Sequence, residues 1–358
     1  MSIKKIAKEA GVSTATVSRV LNNPGYKCSS EELRERIWKI ARELNYMPNE
    51  AARNLKKGIT DTSQKVWYLD VLMTRMGNLE TDPLFSELLR VIESEIHRQG
   101  CILMHIFHQP LFSNDRKCRT ENIDKVIAQM EPDGDIRSDG LIIIGKCNDN
   151  VLKKLSAKYK SIVSVNRNST NYLVDEVICD GKRIAAMAVE YLIGLGHRKI
   201  GYVGDCHNES RYKGYQDTLF QYGIDIDISF VIEAEHTEAE GYAVMERLIQ
   251  RGDAPTAIYC ANDMIAIGML KCLNKYKNRY YVPSIISSDD IEEAQYTRPM
   301  LTTVRLPKEE MGKFALYLLI DRLGGGHKGI VRTELEGKLM IRESCTLVEN
   351  ANRMEYYI

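Results

Sequence analysis

The segment IKKIAKEAGVSTATVSRVLNN, residues 3–23, determines the architecture of the N-terminal part of the chain. Its first apolar residues follow the i, i+3, i+4, i+7 spacing of one helical face and are Ile3, Ile6, Ala7 and Ala10. A short amphipathic helix is therefore predicted at the beginning of the segment.

Gly11 and Ser13 separate this helix from a second one. Glycine tolerates the positive φ at which a helix ends, and serine is a favourable N-cap. The following TATVSRVL, residues 14–21, is predicted to bury Val17, Val20 and Leu21. Two short helices around a glycine-containing turn are typical of a helix-turn-helix, whose second helix enters the DNA major groove.

A third helix is predicted after Ser29 and Glu32, which have capping-box spacing. Its apolar face consists of Leu33, Ile37, Ile40, Ala41 and Leu44. The first part of the chain is therefore expected to be a small all-α domain, residues 1–47.

The charge distribution separates this region from the rest of the chain. Residues 1–58 hold 12 Lys and Arg against 6 Asp and Glu, whereas the remaining residues hold 37 against 43. A basic end on an acidic body favours a polyanionic partner for the end. Charge alone fits a solvated basic face equally well.

Residues 3–23, followed by ELNYMPNEAARNL at 43–55, resemble the DNA-binding module of the lac repressor (LacI/GalR) family. The resemblance implies a sequence-specific transcriptional regulator, expected to be a repressor that binds double-stranded operator DNA. It places the base-reading positions at Thr14, Ala15 and Arg19, where arginine suits guanine and small apolar groups suit the thymine methyl. Thr16 and Ser18 suit phosphate oxygens, and Asn22 completes this part of the DNA-binding set.

Residues 48–58 resemble the hinge helix of that family. Pro48 near a helix start and Gly58 after its end agree with a short helix, which is marginal on its own in water. The resemblance places Leu55 where an apolar side chain wedges into the minor groove and kinks the DNA. A polar linker, residues 59–65, is predicted to follow.

Short apolar runs alternate with helical patterns after the linker. Runs at 66–73, 101–107, 140–145 and 161–166 predict strands, and a second series is predicted near 174–180, 199–204, 229–235, 256–261 and 284–288. The intervening helices are predicted at 85–100, 122–130, 182–195, 210–222, 238–251 and 263–275. This alternation predicts an α/β domain of two Rossmann-like subdomains, with a cleft at the carboxyl ends of their parallel strands.

Further blocks, including YLIGLGHRKIGYVGD at 191–205 and CANDMIAIGML at 260–270, resemble the family's sensor domain, which is similar to periplasmic sugar-binding proteins. The resemblance implies an effector-binding and dimerisation domain at 66–345, followed by a tail at 346–358. The predicted N-subdomain comprises 66–166 and 304–325, and the C-subdomain comprises 167–303 and 326–345. The implied effector-contacting residues are Phe85, Asn166, Arg211, His236, Asn262 and Asp289.

Three of these polar residues also have an alternative interpretation. Asp289 fits a loop cap, Asn262 fits a helix cap, and Arg211 fits a surface salt bridge. Asn166 also stands where the family often has aspartate. The expected effector is a sugar or sugar derivative, with a purine or nucleoside and a phosphocarrier protein partner as alternatives.

No catalytic, metal-binding or cofactor-binding residue is predicted. Gly140 to Lys146 superficially fits a phosphate loop, but Cys147 follows and the intervening residues form a strand pattern. The seven His residues show no metal-ligand spacing. A sugar-modifying enzyme is disfavoured because no acid–base pair is evident, and a stand-alone solute-binding protein is disfavoured by the DNA-binding module.

Composition predicts a cytoplasmic protein. No apolar run approaches the ~20 residues of a membrane span, and the nine scattered Cys residues suggest reduced core thiols. A homodimer is expected, because a palindromic operator requires two helix-turn-helix modules and the tail lacks leucine heptads.

Overall fold

The computed structural model describes residues 3–14, 16, 17, 20, 30–43, 66–74, 82–130, 137–207, 209–276 and 281–350. The chain divides into two compact units, Met1–Val66 and Trp67–Ile358. Each unit is described separately.

The first unit contains the helices Ile3–Ala10 and Glu31–Glu43. After the first helix, Ser13 Oγ accepts a hydrogen bond from the Thr16 backbone N–H at 3.1 Å, which confirms the predicted N-cap. The second described helix is capped by Ser30, whose Oγ accepts from the Leu33 N–H at 3.2 Å. The cap therefore follows the predicted Ser29 by one residue, because the helix begins only at Glu31.

A small apolar core holds this unit together. Arg36 donates from Nη2 to the Ala10 carbonyl at 2.9 Å, so a free carbonyl at the end of the first helix gains a partner. The buried side chains are Ile6, Ala7, Ala10, Val17, Val20, Ile37 and Ile40. Among the side chains that the structure describes, predicted apolar positions from all three helical segments meet in this core, whereas Ile3, Leu21, Ala41 and Leu44 lie outside the described side chains.

The second unit contains twelve strands among its described residues. They are β1 Tyr68–Met73, β2 Ile102–His108, β3 Gly140–Ile144, β4 Ser161–Asn166, β5 Asp175–Ile178, β6 Ile200–Gly204, β7 Val231–Glu233, β8 Ala257–Cys260, β9 Ser284–Asp289, β10 Thr302–Arg305, β11 Arg332–Glu334 and β12 Lys338–Met340. They form two six-stranded sheets, ordered β11-β5-β4-β3-β1-β2 and β12-β10-β9-β8-β6-β7. All pairings are parallel except that of β10 with β12.

Nine α-helices of this unit have described bounds. They are α1 Pro83–Arg98, α2 Asp115–Thr120, α3 Ile123–Ala128, α4 Asp149–Lys158, α5 Gly181–Gly194, α6 Ser210–Gln221, α7 Glu238–Ile249, α8 Asp263–Tyr276 and α9 Lys308–Leu323. Short 3₁₀ turns occur at Pro110–Ser113, Ile228–Phe230, Glu292–Gln295 and Val348–Asn350. No described helix combines the length and apolar character that a membrane span requires.

Strand β3 shows why apolar runs form the centre of the first sheet. Ile142 and Ile144 belong to one apolar core, and Leu141 and Ile143 belong to another. Successive side chains of a strand point to opposite faces, so a continuous aliphatic run is buried only when helices cover both faces. The predicted α/β architecture of two parallel-sheet subdomains is confirmed.

The chain crosses between the two sheets three times: after β5, after β10 and after β11. The sequence-based boundaries placed 167–303 in the C-subdomain, but β5 pairs with β4 in the first sheet. They also placed all of 326–345 there, but β11 pairs with β5 in the first sheet. Helix α9 packs on β3, β4 and β5 of the first sheet.

His197 joins three segments of the second subdomain. Its ring nitrogens contact Thr256 Oγ1 at 2.9 Å, Ser284 Oγ at 3.1 Å and the Thr346 carbonyl at 3.0 Å. The side chain is completely buried, and burial lowers the pKa of His197. The histidine is therefore a neutral structural residue.

We expect His197→Gln to reduce the free energy of unfolding by about 1–3 kcal/mol at neutral pH, because hydrogen bonds to buried partners are lost. The pKa of His197 is lower in the folded than in the unfolded state, so its stabilising contribution is full above about pH 6.5 and is lost as pH falls. Urea unfolding of both proteins at several pH values measures the difference. A difference that does not shrink in acid would contradict a neutral buried His197.

Candidate functional site

A cleft of about 1360 Å³ lies between the two subdomains. The first sheet contributes residues that follow β3, β4 and β5, and the second contributes residues that follow β6. These are the carboxyl ends of parallel strands, where open α/β sheets bind their ligands.

Three of the helices that begin at the cleft are capped in the same way. Their N-cap side chains line it, and each accepts a hydrogen bond from a backbone N–H two residues later: Asn148 for α4, Asp180 for α5 and Glu209 for α6. Helix α5 approaches α6 so closely that a Cβ at Gly181 would lie 2.0 Å from Ser210 Oγ. This contact fixes one wall of the cleft.

Asn166 is the predicted effector residue that lines the cleft. It ends β4, and its Oδ1 accepts from the Arg167 N–H at 2.7 Å. Arg167, which also lines the cleft, forms an ion pair with Asp289 at the end of β9. Both side chains are almost fully buried, at 7% and 4% exposure. The pair therefore links the two sheets at the cleft.

Arg211 is fully enclosed by protein. Its Nε donates to Glu209 Oε1 at 2.9 Å, its Nη1 donates to the Ala261 carbonyl, and its Nη2 lies 3.1 Å from His236 Nε2. Burial opposes the charge, but the carboxylate of Glu209 outweighs it and raises the pKa of Arg211 above its usual value. Arg211 does not line the cleft itself but binds the buried carboxylate of Glu209, which does, and the predicted alternative of a surface salt bridge is wrong because Arg211 has 0% exposure.

Asn262 acts as a helix cap in this arrangement. Its Oδ1 accepts from the Ile265 N–H at 3.1 Å at the beginning of α8, and its Nδ2 donates to the His236 carbonyl at 3.4 Å. The structure therefore brings Arg211, His236 and Asn262 together in one network. The remaining predicted residue, Phe85, is buried on α1 near Gly145, and a Cβ at that glycine would lie 3.3 Å from its ring.

Arg167 and Glu209 were not predicted as site residues, and neither were two other residues of this region, Tyr212 and Asp263. Tyr212 supplies an aromatic ring to the cleft lining and packs against Tyr202 with ring centroids 5.0 Å apart. Asp263 is fully buried and accepts hydrogen bonds from Ser287 Oγ and Thr303 Oγ1, both at 2.6 Å. Burial and the nearby negative charge of Asp289 raise the pKa of Asp263 to about 7. Tyr212 lies in the segment SRYKGY, residues 210–215, directly after the predicted Arg211, and that position is the signal by which it could have been found.

The predicted DNA-binding residues fall partly within the described structure. Thr14 is exposed, and Thr16 is half-buried with its Oγ1 2.9 Å from Ser13 Oγ. The others, Ala15, Ser18, Arg19, Asn22 and Leu55, lie outside the described residues. In the part of the chain that is described, no cluster of three or more His, Cys, Asp or Glu side chains is arranged to hold a metal ion.

Comparisons with known proteins identify both units. Residues 2–49 match the bacterial regulatory proteins of the lacI family, and residues 189–345 match the periplasmic binding protein-like domain. The HTH-type transcriptional repressor MelR of Bacillus subtilis (strain 168) is 31% identical over 357 residues, which cover 96% of this chain and 97% of MelR. The chain belongs to the lacI family. It is thus a DNA-binding protein of a family of transcriptional repressors.

Other lacI-family relatives support the same architecture. The repressor PurR of Haemophilus influenzae (strain PittEE) is 29% identical over 360 residues, which cover 96% of this chain and 98% of PurR. The solved complex of the regulator CelR with cellobiose has a TM-score of 0.64 at 24% identity, covering 96% of this chain and 100% of CelR. The lac repressor dimer bound to operator and the anti-inducer ONPF has a TM-score of 0.64 at 22% identity, covering 97% and 99%. These two structures share the fold.

We expect Arg211→Ala to reduce the free energy of unfolding by about 3–5 kcal/mol, because it leaves the Glu209 carboxylate buried without its cation. The double variant Glu209→Gln, Arg211→Met removes both charges and should recover part of that loss. Urea unfolding of Glu209→Gln, Arg211→Met and the double variant gives the coupling energy, since the cycle needs the same two substitutions singly and together. Strictly additive losses would contradict the internal ion pair.

Proposed function

We propose that this lacI-family chain is a transcriptional repressor whose operator binding is controlled by a sugar-class effector in the cleft between the subdomains. The observation that carries the proposal is the cleft itself, which combines contributions from both sheets. A ligand held there contacts both subdomains at once. Its binding can therefore favour one relative orientation of them.

The chemistry of the lining suits a polyhydroxylated ligand. Seven amide side chains line the cleft: Asn122, Asn148, Asn150, Asn166, Asn168, Asn171 and Gln216. Amides donate and accept hydrogen bonds, as sugar hydroxyls require. The ring of Tyr212 offers a flat surface for the apolar face of a sugar ring.

The ion pair between Arg167 and Asp289 provides a physical route from ligand to protein conformation. Arg167 lines the cleft and its partner ends a strand of the other sheet. A ligand that binds Arg167 competes with this pair or reinforces it. It can shift the conformational equilibrium only by its differential affinity for the two states, typically about 1–3 kcal/mol.

The proposal includes a homodimer with one module on each half of a pseudo-palindromic operator. The related structure of the lac repressor is a dimer bound to its operator. Purines are retained as candidate effectors because PurR proteins are among the relatives. A thermal-shift screen of the full chain against sugars, sugar derivatives and purines identifies the effector, since ligand at 100 times its Kd stabilises by about 2.7 kcal/mol.

We expect Arg167→Met combined with Asp289→Asn to reduce the effect of the effector on operator affinity, because the pair that joins the sheets is removed. The change should be up to about 1–3 kcal/mol of coupling, with operator affinity in the absence of effector nearly unchanged. Fluorescence anisotropy of labelled operator, with and without the ligand from the screen, measures both quantities. A normal response by the double variant would contradict this route.

Substitutions in the DNA-binding unit should have the opposite effect: they should change operator binding and leave effector binding unchanged. We expect Arg19→Ala to weaken specific operator binding by about 1–3 kcal/mol and relax base preference at its position, while effector binding is unchanged. Leu55→Ala should abolish bending of the operator at a central C·G/G·C step while the dimer persists. Operator titrations test the Arg19 variant, and energy transfer between labels on the two DNA ends tests the Leu55 variant. Unaltered bending by the Leu55 variant would contradict the wedge role.

A further inference from the structure

The loop between α9 and β11 folds back onto the end of α9. Gly325, at φ +80°, adopts the left-handed conformation that favours glycine, and its N–H donates to the Arg322 carbonyl at 3.0 Å. The N–H of Gly326 donates to the Asp321 carbonyl at 2.8 Å, and a Cβ at Gly326 would lie 2.2 Å from Asp321 Oδ1. The turn thus leaves no room for a side chain at Gly326, and it brings His327 back beside the last turn of the helix.

His327 lies between two carboxylates in this turn. Its Nδ1 lies 2.5 Å from Asp321 Oδ2 on α9, and its Nε2 lies 2.9 Å from Asp175 Oδ2 at the first residue of β5. A neutral imidazole has one N–H and can donate to only one of these oxygens, whereas the imidazolium ion donates to both. The two contacts together therefore require the protonated histidine.

Asp175 and Asp321 differ in how much they depend on the histidine. The side chain of Asp175 has 0% exposure, and it also accepts hydrogen bonds from Arg322 Nη2 at 2.6 Å and from the Val331 N–H at 2.8 Å. Asp321 is 56% exposed, so water can solvate its carboxylate. A neutral His327 keeps its single N–H on the buried acceptor, because a buried acceptor without a donor is costly. Its other nitrogen then presents a lone pair to Asp321, and this contact breaks.

The charged side chains that act on the ring come from α9 and β5. The carboxylates of Asp321 and Asp175 raise the pKa of His327 above its usual value, although burial and the nearby Arg322 oppose the increase. The side chain of His327 is 16% exposed, so water can exchange the proton without unfolding of the chain. In both respects the residue differs from His197, which is fully buried and whose pKa is lowered.

The loop that the histidine holds leads directly into β11. Arg322 donates to two carbonyls of this loop, that of Lys328 at 3.2 Å and that of Gly329 at 2.6 Å, while the side chain of Lys328 is exposed. Strand β11 lies at the edge of the first sheet beside β5 and continues into the third crossing between the sheets. The protonation of His327 therefore acts at the start of one of the three links between the subdomains.

We propose that His327 is a pH-sensitive switch of the first sheet, which protonation closes and loss of the proton in mildly alkaline solution opens. In the closed state the imidazolium bridges Asp321 and Asp175 and fixes residues 324–331. In the open state Asp321 is released, and the loop, β11 and the third crossing fluctuate more. The switch needs neither a ligand in the cleft nor DNA, so this inference goes beyond the proposed function.

An NMR titration of the full chain with ¹³C-labelled histidine measures the pKa of His327 directly, with its signal assigned by His327→Gln. We expect a pKa above the ordinary value of about 6.5. Asp321→Asn should lower this pKa, because Asp321 is the main cause of the increase. The matched control Glu310→Gln removes an exposed carboxylate elsewhere on α9 and should leave the pKa unchanged. A wild-type pKa at or below about 6.5, or the same pKa in Asp321→Asn, would overturn the proposal.

Amide hydrogen exchange from about pH 6 to about pH 9, corrected for the intrinsic exchange rate, tests the effect on the structure. Because the pKa of His327 is higher in the folded state, the bridge stabilises fully below about pH 6.5 and is lost as pH rises through the folded-state pKa. We expect protection of residues 324–337 to fall roughly two- to fivefold, the scale of a partly exposed ion pair, with β3 unchanged as an internal reference.

The same exchange measurement on His327→Gln separates the switch from a general effect of pH. Protection of residues 324–337 should be low throughout the pH range in this variant, because glutamine carries no charge to lose. The control His97→Gln, which replaces an exposed histidine at the end of α1, should behave like the wild type. The proposal is also overturned if the wild type shows no pH-dependent loss in this segment, or if His327→Gln shows the same loss.

Discussion

The three chain crossings between the two sheets are the constraint on which the sensor unit depends. Each sheet is completed by a strand that lies far along the chain: β11 closes the edge of the first sheet beside β5, and β12 pairs with β10 in the second. Neither subdomain is therefore a continuous piece of sequence. The backbone connects them at the three crossings, and aliphatic strands buried on both faces give each sheet a densely packed core.

Buried charge at the cleft is organised in pairs. Glu209 with Arg211 lies within the second subdomain, and Arg167 with Asp289 joins the two. Desolvation makes such pairs costly to form and more costly to break, since the partner left behind has no solvent. The first pair thus supports one wall, and the second lets a change at the cleft reach both sheets.

Much of the fold was predictable because local sequence patterns determine where its strands and helices form. Continuous aliphatic runs such as residues 140–145 identified the strands, and Ser13 identified a helix start. The subdomain boundaries were harder to predict from the sequence, because the pairing of β5 with β4 and β11 depends on contacts between distant parts of the chain. No sequence pattern distinguishes a strand that ends one sheet from one that begins the next.

The sequence indicated some residue types of this region, but it did not indicate most of the contacts that those residues make. The sequence offered a helix cap as one role of Asn262, and Asn262 does cap α8. It gave no sign that Arg211 is held by Glu209 or that His236 lies beside both residues. Those roles depend on the positions of neighbouring side chains in three dimensions. Asp263 was missed because a carboxylate after Asn262 is an ordinary helix-start residue until its complete burial is known.

The contacts of His197 have a consequence for where the ends of the sensor unit are attached. The unit enters through Trp67 and β1 in the first sheet. It leaves through Thr346, held by His197, and Val348, whose N–H donates to the Leu195 carbonyl at 3.0 Å in the second subdomain. The two ends are therefore anchored on opposite sides of the cleft. The distance between the two ends therefore changes when the cleft opens or closes. A pair of labels attached at the ends would measure that distance without contacting the ligand site.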